Sequence, residues 1–203
     1  MTARTGRQRP HGPPHARDPW LPLFLAVATV AALVTAWPLL HTVLPETEPV
    51  RAGHTLPVGS GQDVEAALVL PQDGWALHPA TSAAEREYHL SRGPVELTLT
   101  SVTPTTPAPP TAARLWEGLD RTLRAADASA RLGTPDTVTA QDGTPGLTGP
   151  LTSDTASGTA VLYPSPDGRF AVSMTLAGPD ASHADLAAVD DVLTSITFTR
   201  EDA

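Results

Sequence analysis

Residues able to do chemistry are few in this chain of 203 and stand far apart. His78, His89 and His183 show neither H-x-x-x-H nor H-x-x-E-H spacing, and His11 and His15 merely flank a proline pair near the N-terminus. A zinc-type site needs three or four converging ligands, so no metal site is expected from these spacings. Ser157, Ser165 and Ser173 lie in turn or strand contexts without a G-x-S-x-G elbow, which leaves a serine hydrolase site only if the fold assembles one. Asp154-Thr155-Ala156 has Ala where aspartic proteases have Gly, and that chemistry also requires a second carboxylate close enough to share a proton. Asp190 and Asp191 are neighbours that diverge by roughly 100° on a helix, too far to chelate together. The glycines fall in turns and form no phosphate loop. Trp75 and Trp116 have the size either to line a ligand cleft or to fill a core. The expected inventory is therefore no catalytic residue, no metal and no cofactor.

Composition narrows the partners. Without cysteine there can be no disulfide, thiol nucleophile, iron–sulfur cluster or lipid-modified N-terminal cysteine. The absence of lysine and asparagine, with Ile196 the sole isoleucine, reflects GC-rich codons of actinomycete type; without Asn, N-glycosylation is impossible. Net charge is −9, split between an N-terminal stretch (Arg4, Arg7, Arg9 and Arg17 against Asp18) and a strongly acidic remainder. An acidic main domain repels phosphate backbones, so nucleic acid is not expected as a partner.

The segment from Pro19 to Pro45 contains no Asp, Glu, Arg or Lys. From Trp20 to His41 a helix would rise about 31 Å, matching a hydrocarbon layer of about 30 Å. Trp20 and Trp37 stand near its two ends, where indole rings prefer the membrane interface. Its leucines and valines point in all directions, unlike the single stripe of a surface helix. Val34-Thr35-Ala36 offers a signal-peptidase site before Trp37, but the apolar run continues past it and exceeds the usual 7–15 residues. A retained transmembrane helix over 19–45 is thus expected, with membrane lipid as its partner. The arginine-bearing tail, 1–18, would be disordered and cytoplasmic, and the C-terminal domain extracytoplasmic at the plasma membrane.

Beyond this anchor, "ETEPVRAGHTLPVGSG" reads as a linker over 46–63, and the domain is expected over 64–203. "VEAALVL" is an apolar strand, and "REYHLS" and "VELTLTSV" form a hairpin over "RGP". "TPTTPAPP" is a PPII-like loop with a Thr/Pro pattern that O-linked sugar can use. Thr111 caps a helix to about Ala126 with Leu115, Leu119 and Leu123 on one side. Later strands are punctuated by Asp142-Gly143 and Pro166-Asp167-Gly168. A last helix starts at Ser182 with a capping-box pattern and runs into the strand "SITFT". The order of strands, helix, three strands, helix and strand predicts an α+β fold, an antiparallel sheet with helices packed on it.

Within that order, "LVLPQDGW" and "DDVLTSITFT" resemble the PsbP-like α/β sandwich, a family of the photosystem extrinsic protein and of small exported or lipid-anchored actinomycete proteins. The likeness runs from about Val64 to Thr199, and its motifs are structural. It implies a central antiparallel sheet between helical layers and a binding or assembly role, with no functional residue carried over. The lipobox cysteine of lipoprotein members is missing, and the apolar segment takes its place. The function expected is a membrane-anchored extracytoplasmic binding or assembly module, non-catalytic, with an envelope protein as a candidate partner. The alternative is a cell-envelope hydrolase with a site formed only in the fold; a third reading makes 1–18 a contact for an intracellular partner.

Overall fold

A computed structural model describes residues 46–105 and 109–200. The tail 1–18 and the expected membrane helix 19–45, with Trp20 and Trp37, lie outside the described residues. Among the described residues, no helix is long and apolar enough to cross a membrane.

Strand dominates. Among the described residues, twelve strands take 45% against 17% for helix, which overturns the expected α+β sandwich of helical layers on one sheet. The order is β1 (Glu48–Val50), β2 (Thr55–Ser60), β3 (Val64–Val69), β4 (Trp75–Leu77), β5 (Glu87–Arg92), β6 (Val95–Val102), α1 (Ala112–Ala126), β7 (Arg131–Leu132), β8 (Asp136–Thr139), β9 (Pro145–Thr152), β10 (Ser157–Pro164), β11 (Ala171–Gly178), α2 (His183–Val189), α3 (Asp191–Thr194) and β12 (Ile196–Arg200). Nine strands form one antiparallel sheet in the order β1-β4-β5-β6-β11-β10-β9-β7, with β8 also paired to β9, and β12-β3-β2 form a second. The segment 46–63, expected as a linker, supplies β1 and β2, one to each sheet.

Alternation explains the layering. Tyr88, Leu90, Leu97, Leu99, Met174 and Leu176 face one side of the large sheet and meet Leu56, Val58, Leu68 and Ile196 of the small one in a single buried cluster. Each such side chain removed from water contributes about 1.5–3 kcal/mol, so this interior holds the two sheets together. α2 and α3 add Val189, Val192 and Leu193 to the same cluster. The two stretches that carried the family resemblance meet here, since Ile196 on β12 pairs with Leu68 on β3.

The opposite face of the large sheet is covered only in part, by α1. Thr111 caps this helix, its hydroxyl accepting from the Arg114 N–H at 3.4 Å. Trp116 is the buried anchor: its Nε1 donates to the Gly133 carbonyl at 3.4 Å, and its ring lies so near Gly149 that a Cβ there would come within 2.9 Å. Small residues, Gly149, Ala160 and Ala171, let the helix settle over β9 and β10, with Leu115 and Leu119 against Leu132, Leu147 and Leu162. The outer face of β5 and β6, and of β11 beyond Ala171 and Ser173, is therefore left more open.

Candidate functional site

That lopsided seat opens a groove of about 480 Å³ between α1 and the sheet, within the range of about 300–1,000 Å³ usual for small-ligand sites. Strand register sets its floor. One rung runs Glu87, Thr100, Ser173 and Leu162 across β5, β6, β11 and β10; the next runs His89, Thr98, Thr175 and Ala160. Polarity thus falls from a carboxylate and an imidazole, through paired hydroxyls, to hydrocarbon beneath the helix. Leu115, Leu119 and Leu123 form the apolar wall. At the rim stands Val102, 41% exposed and the sole large apolar side chain so open to solvent among the described residues.

At the polar end three side chains connect. His89 Nε2 lies 3.1 Å from Glu87 Oε1, and His89 Nδ1 lies 3.4 Å from Thr98 Oγ1. With the Nε2 proton donated to Glu87, Nδ1 is free to accept from the threonine hydroxyl, the order of a carboxylate–imidazole–hydroxyl relay. Acyl transfer needs N–H donors aimed at the developing oxyanion as well. β6 and β11 are paired on both sides, and on β5 the His89 N–H donates to Ser82 Oγ at 3.0 Å and the Glu87 N–H to the Ala83 carbonyl at 2.9 Å, so the backbone N–H groups of this floor are spent. The geometry suits hydrogen bonding to a bound group better than covalent chemistry.

The other residues picked out by sequence fall elsewhere. Trp75 and Trp116 are both buried, in separate clusters, and neither lines the groove. His78 Nε2 bonds Ser91 Oγ at 2.8 Å beside a hollow of about 170 Å³ that it shares with His89; His183 is exposed on α2. No three His, Asp or Glu side chains converge as metal ligands among the described residues. Asp154 sits exposed in the β9–β10 turn, where its N–H donates to Ser129 Oγ at 3.1 Å. The nearby Asp127 accepts from Ser129 Oγ and N–H at 2.7 and 2.8 Å, and these bonds pull its pKa down, whereas an acid that shares a proton is pushed up. Of the candidate serines, Ser165 binds Asp167 in the β10–β11 turn, Ser157 opens β10, and Ser173 alone reaches the groove, its hydroxyl donating to the Thr100 carbonyl at 3.4 Å.

Sequence reasoning singled out His89 but passed over Glu87 and Thr98. The signal was present: a period of two places Glu87 and His89 on one face, and the hairpin over Arg92–Val95 sets Thr98 opposite His89.

No family model matches the chain, and no curated protein matches it. Among solved structures, a crystal structure from Bacteroides thetaiotaomicron is similar at 13% identity and a TM-score of 0.34, over 67% of this chain and 46% of that one. This chain spans just under half the length of that structure, and a likeness so loose carries no argument about fold or function.

Proposed function

We propose that the chain is an extracytoplasmic binding module held at the plasma membrane by its apolar segment 19–45, with its ligand seated in the groove between α1 and the large sheet. The observation that carries this reading is the contrast between a filled inter-sheet core and a groove left open, walled by leucines and floored by hydroxyls. Among the described residues a hollow of about 560 Å³ beside the β8–β9 turn rivals the groove in size, but turn residues and prolines line it rather than a helix wall over a hydroxyl floor. The charge pattern of the N-terminal arginines supports the orientation.

The alternative, an envelope hydrolase, draws on the Glu87–His89–Thr98 chain. It is the weaker reading because the floor supplies no oxyanion donors.

The test is photo-crosslinking in intact cells from position 122, an exposed groove-lining site on α1. Thr122 replaced by a photoreactive residue should give an adduct on irradiation, and the same probe at exposed Asp154 should not. Equal yields from both positions, or protection of a C-terminal tag from external protease, would sink the binding role or the address respectively.

A further inference from the structure

The ligand class follows from one residue the fold does not require. Gly118 lies mid-way along α1 on the groove side. Glycine inside a helix costs about 1 kcal/mol relative to alanine, so its presence asks for a reason. Packing gives none: a Cβ built there meets nothing within 4 Å, and the backbone is ordinary helix. Gly149, by contrast, is needed where Trp116 presses on the sheet. Gly118 leaves open space on the groove-lining stripe that it shares with Leu115, Leu119 and Thr122.

We infer that the groove takes a single-chain amphiphile, its hydrocarbon chain lying along α1 under Gly118 and its uncharged, hydroxylated head on β5 and β6. This deepens the reading of the groove as a ligand seat and rests on it. The chain is matched by the leucine wall of α1 and by exposed Val102 at the rim, while Leu162 and Ala171 lie sealed beneath the helix. The head is matched by Glu87, His89, Thr98 and Thr100, which accept or donate hydrogen bonds at the open end. One carboxylate, Glu87, and one guanidinium, Arg114, line the groove, so its lining has no excess charge of one sign to select an ionic head. A peptide strand is a poor occupant, because every strand of the floor is already paired on both sides and offers no edge.

The experiment uses the full chain in phosphatidylcholine vesicles and a medium-chain monoacylglycerol carrying a diazirine on its chain, with the matching carboxylate as the charged comparison. Irradiation followed by peptide mapping should place the monoacylglycerol adduct within 115–123, with clearly less from the carboxylate. Gly118→Trp, which fills the space, should cut that labelling at least about tenfold, while Gly118→Ala keeps it. If Gly118→Trp lowers the melting temperature, Gly118→Leu replaces it. Glu87→Gln combined with Thr98→Val should erase the preference for the hydroxylated head. Unchanged labelling in folded Gly118→Trp, adducts mapped elsewhere, or equal labelling by both head groups would overturn the assignment. If position 122 captures only polypeptide while the amphiphile fails to label, the ligand class falls and the binding role stands. Failure of both removes both.

Discussion

Tyr163 is wholly out of solvent on β10, and its hydroxyl has no hydrogen-bond partner among the described residues. Burial, reinforced by the carboxylates of Asp142 and Asp190, pushes its pKa up to about 12 from 10.0. The folded protein therefore keeps the phenol proton after the unfolded chain has lost it. Its contribution is intact below pH 10 and is lost as pH rises toward 12, on the order of 2–3 kcal/mol over the interval. Tyr163→Phe should flatten that alkaline fall and, by removing an unsatisfied buried hydroxyl, raise stability at neutral pH by about 1 kcal/mol. Urea unfolding from pH 7 to 12 checks both; a variant less stable at pH 7 would mean the hydroxyl is bonded after all. At this scale the sequence is an uneven guide. "GTAVLYP" reads as a strand, yet nothing in it tells that Tyr163 rather than Leu162 points between the sheets. Trp75 and Trp116, whose size favoured a core over a cleft, do lie in cores, though in two separate ones that the sequence does not distinguish.

Helices and strands were more legible than their faces. The capping box at Ser182 forms as its pattern indicates, with Asp185 N–H donating to Ser182 Oγ at 3.2 Å and Ser182 N–H donating to Asp185 Oδ2 at 3.0 Å. The Ser182 hydroxyl, donating to Asp185 Oδ2 at 2.7 Å, and then the Ser182 N–H hold the Asp185 pKa below its usual value, so the cap works above the ordinary carboxylate pKa and fails as pH falls through the lowered one. Because α2 has only seven residues, it depends on this cap more than a long helix would. Ser182→Ala should cost about 1 kcal/mol and speed amide exchange across His183–Val189; unchanged exchange there would show that packing alone sets α2. The single helix expected from Ser182 onward is interrupted at Asp190 into α2 and α3, but Asp190 keeps helical dihedrals, so Val189, Val192 and Leu193 still share the inward face of their i, i+3, i+4 spacing. β2 was hidden because Pro57 and Gly59 mimic a linker. Its alternating Leu56 and Val58 were the readable signal, and an edge strand tolerates a proline and a bulge. Asp142-Gly143 marked its turn correctly, since Gly143 takes φ of 87° between β8 and β9.

At the scale of the molecule, periodicity tells which residues face a core but not which sheet they join, and there the α+β expectation failed. The last strand does not extend the large sheet. β12 crosses to pair with β3, leaving the α1 face free for the groove. Beyond the apolar interior, hydrogen bonds also tie the sheets: the Tyr88 hydroxyl of β5 donates to the Pro57 carbonyl of β2 at 2.9 Å, and a carboxylate holds β12. Asp142, in the β8–β9 turn of the large sheet, accepts the Phe198 N–H of β12 on Oδ2 at 2.6 Å and the Thr144 N–H on Oδ1 at 2.8 Å. The neighbouring Gln141 N–H donates to the Thr194 carbonyl at 3.0 Å, and the Phe198 ring lies 6.0 Å from that of Phe170. A hydrogen bond to a charged group is worth about 1.5–3 kcal/mol, so Asp142→Ala should lose an amount in that range. Asp142→Asn, which retains an acceptor oxygen, should lose less. The signature separating a coupling between sheets from a merely local turn is where protection is lost. In Asp142→Ala, amide exchange should rise along β12, Ile196–Arg200, and along its partner β3, while β5 and β6 under the groove keep their protection. If only the 140–144 turn loosens, the Asp142 bond adds nothing between the sheets, and β12 needs no carboxylate to stay in place.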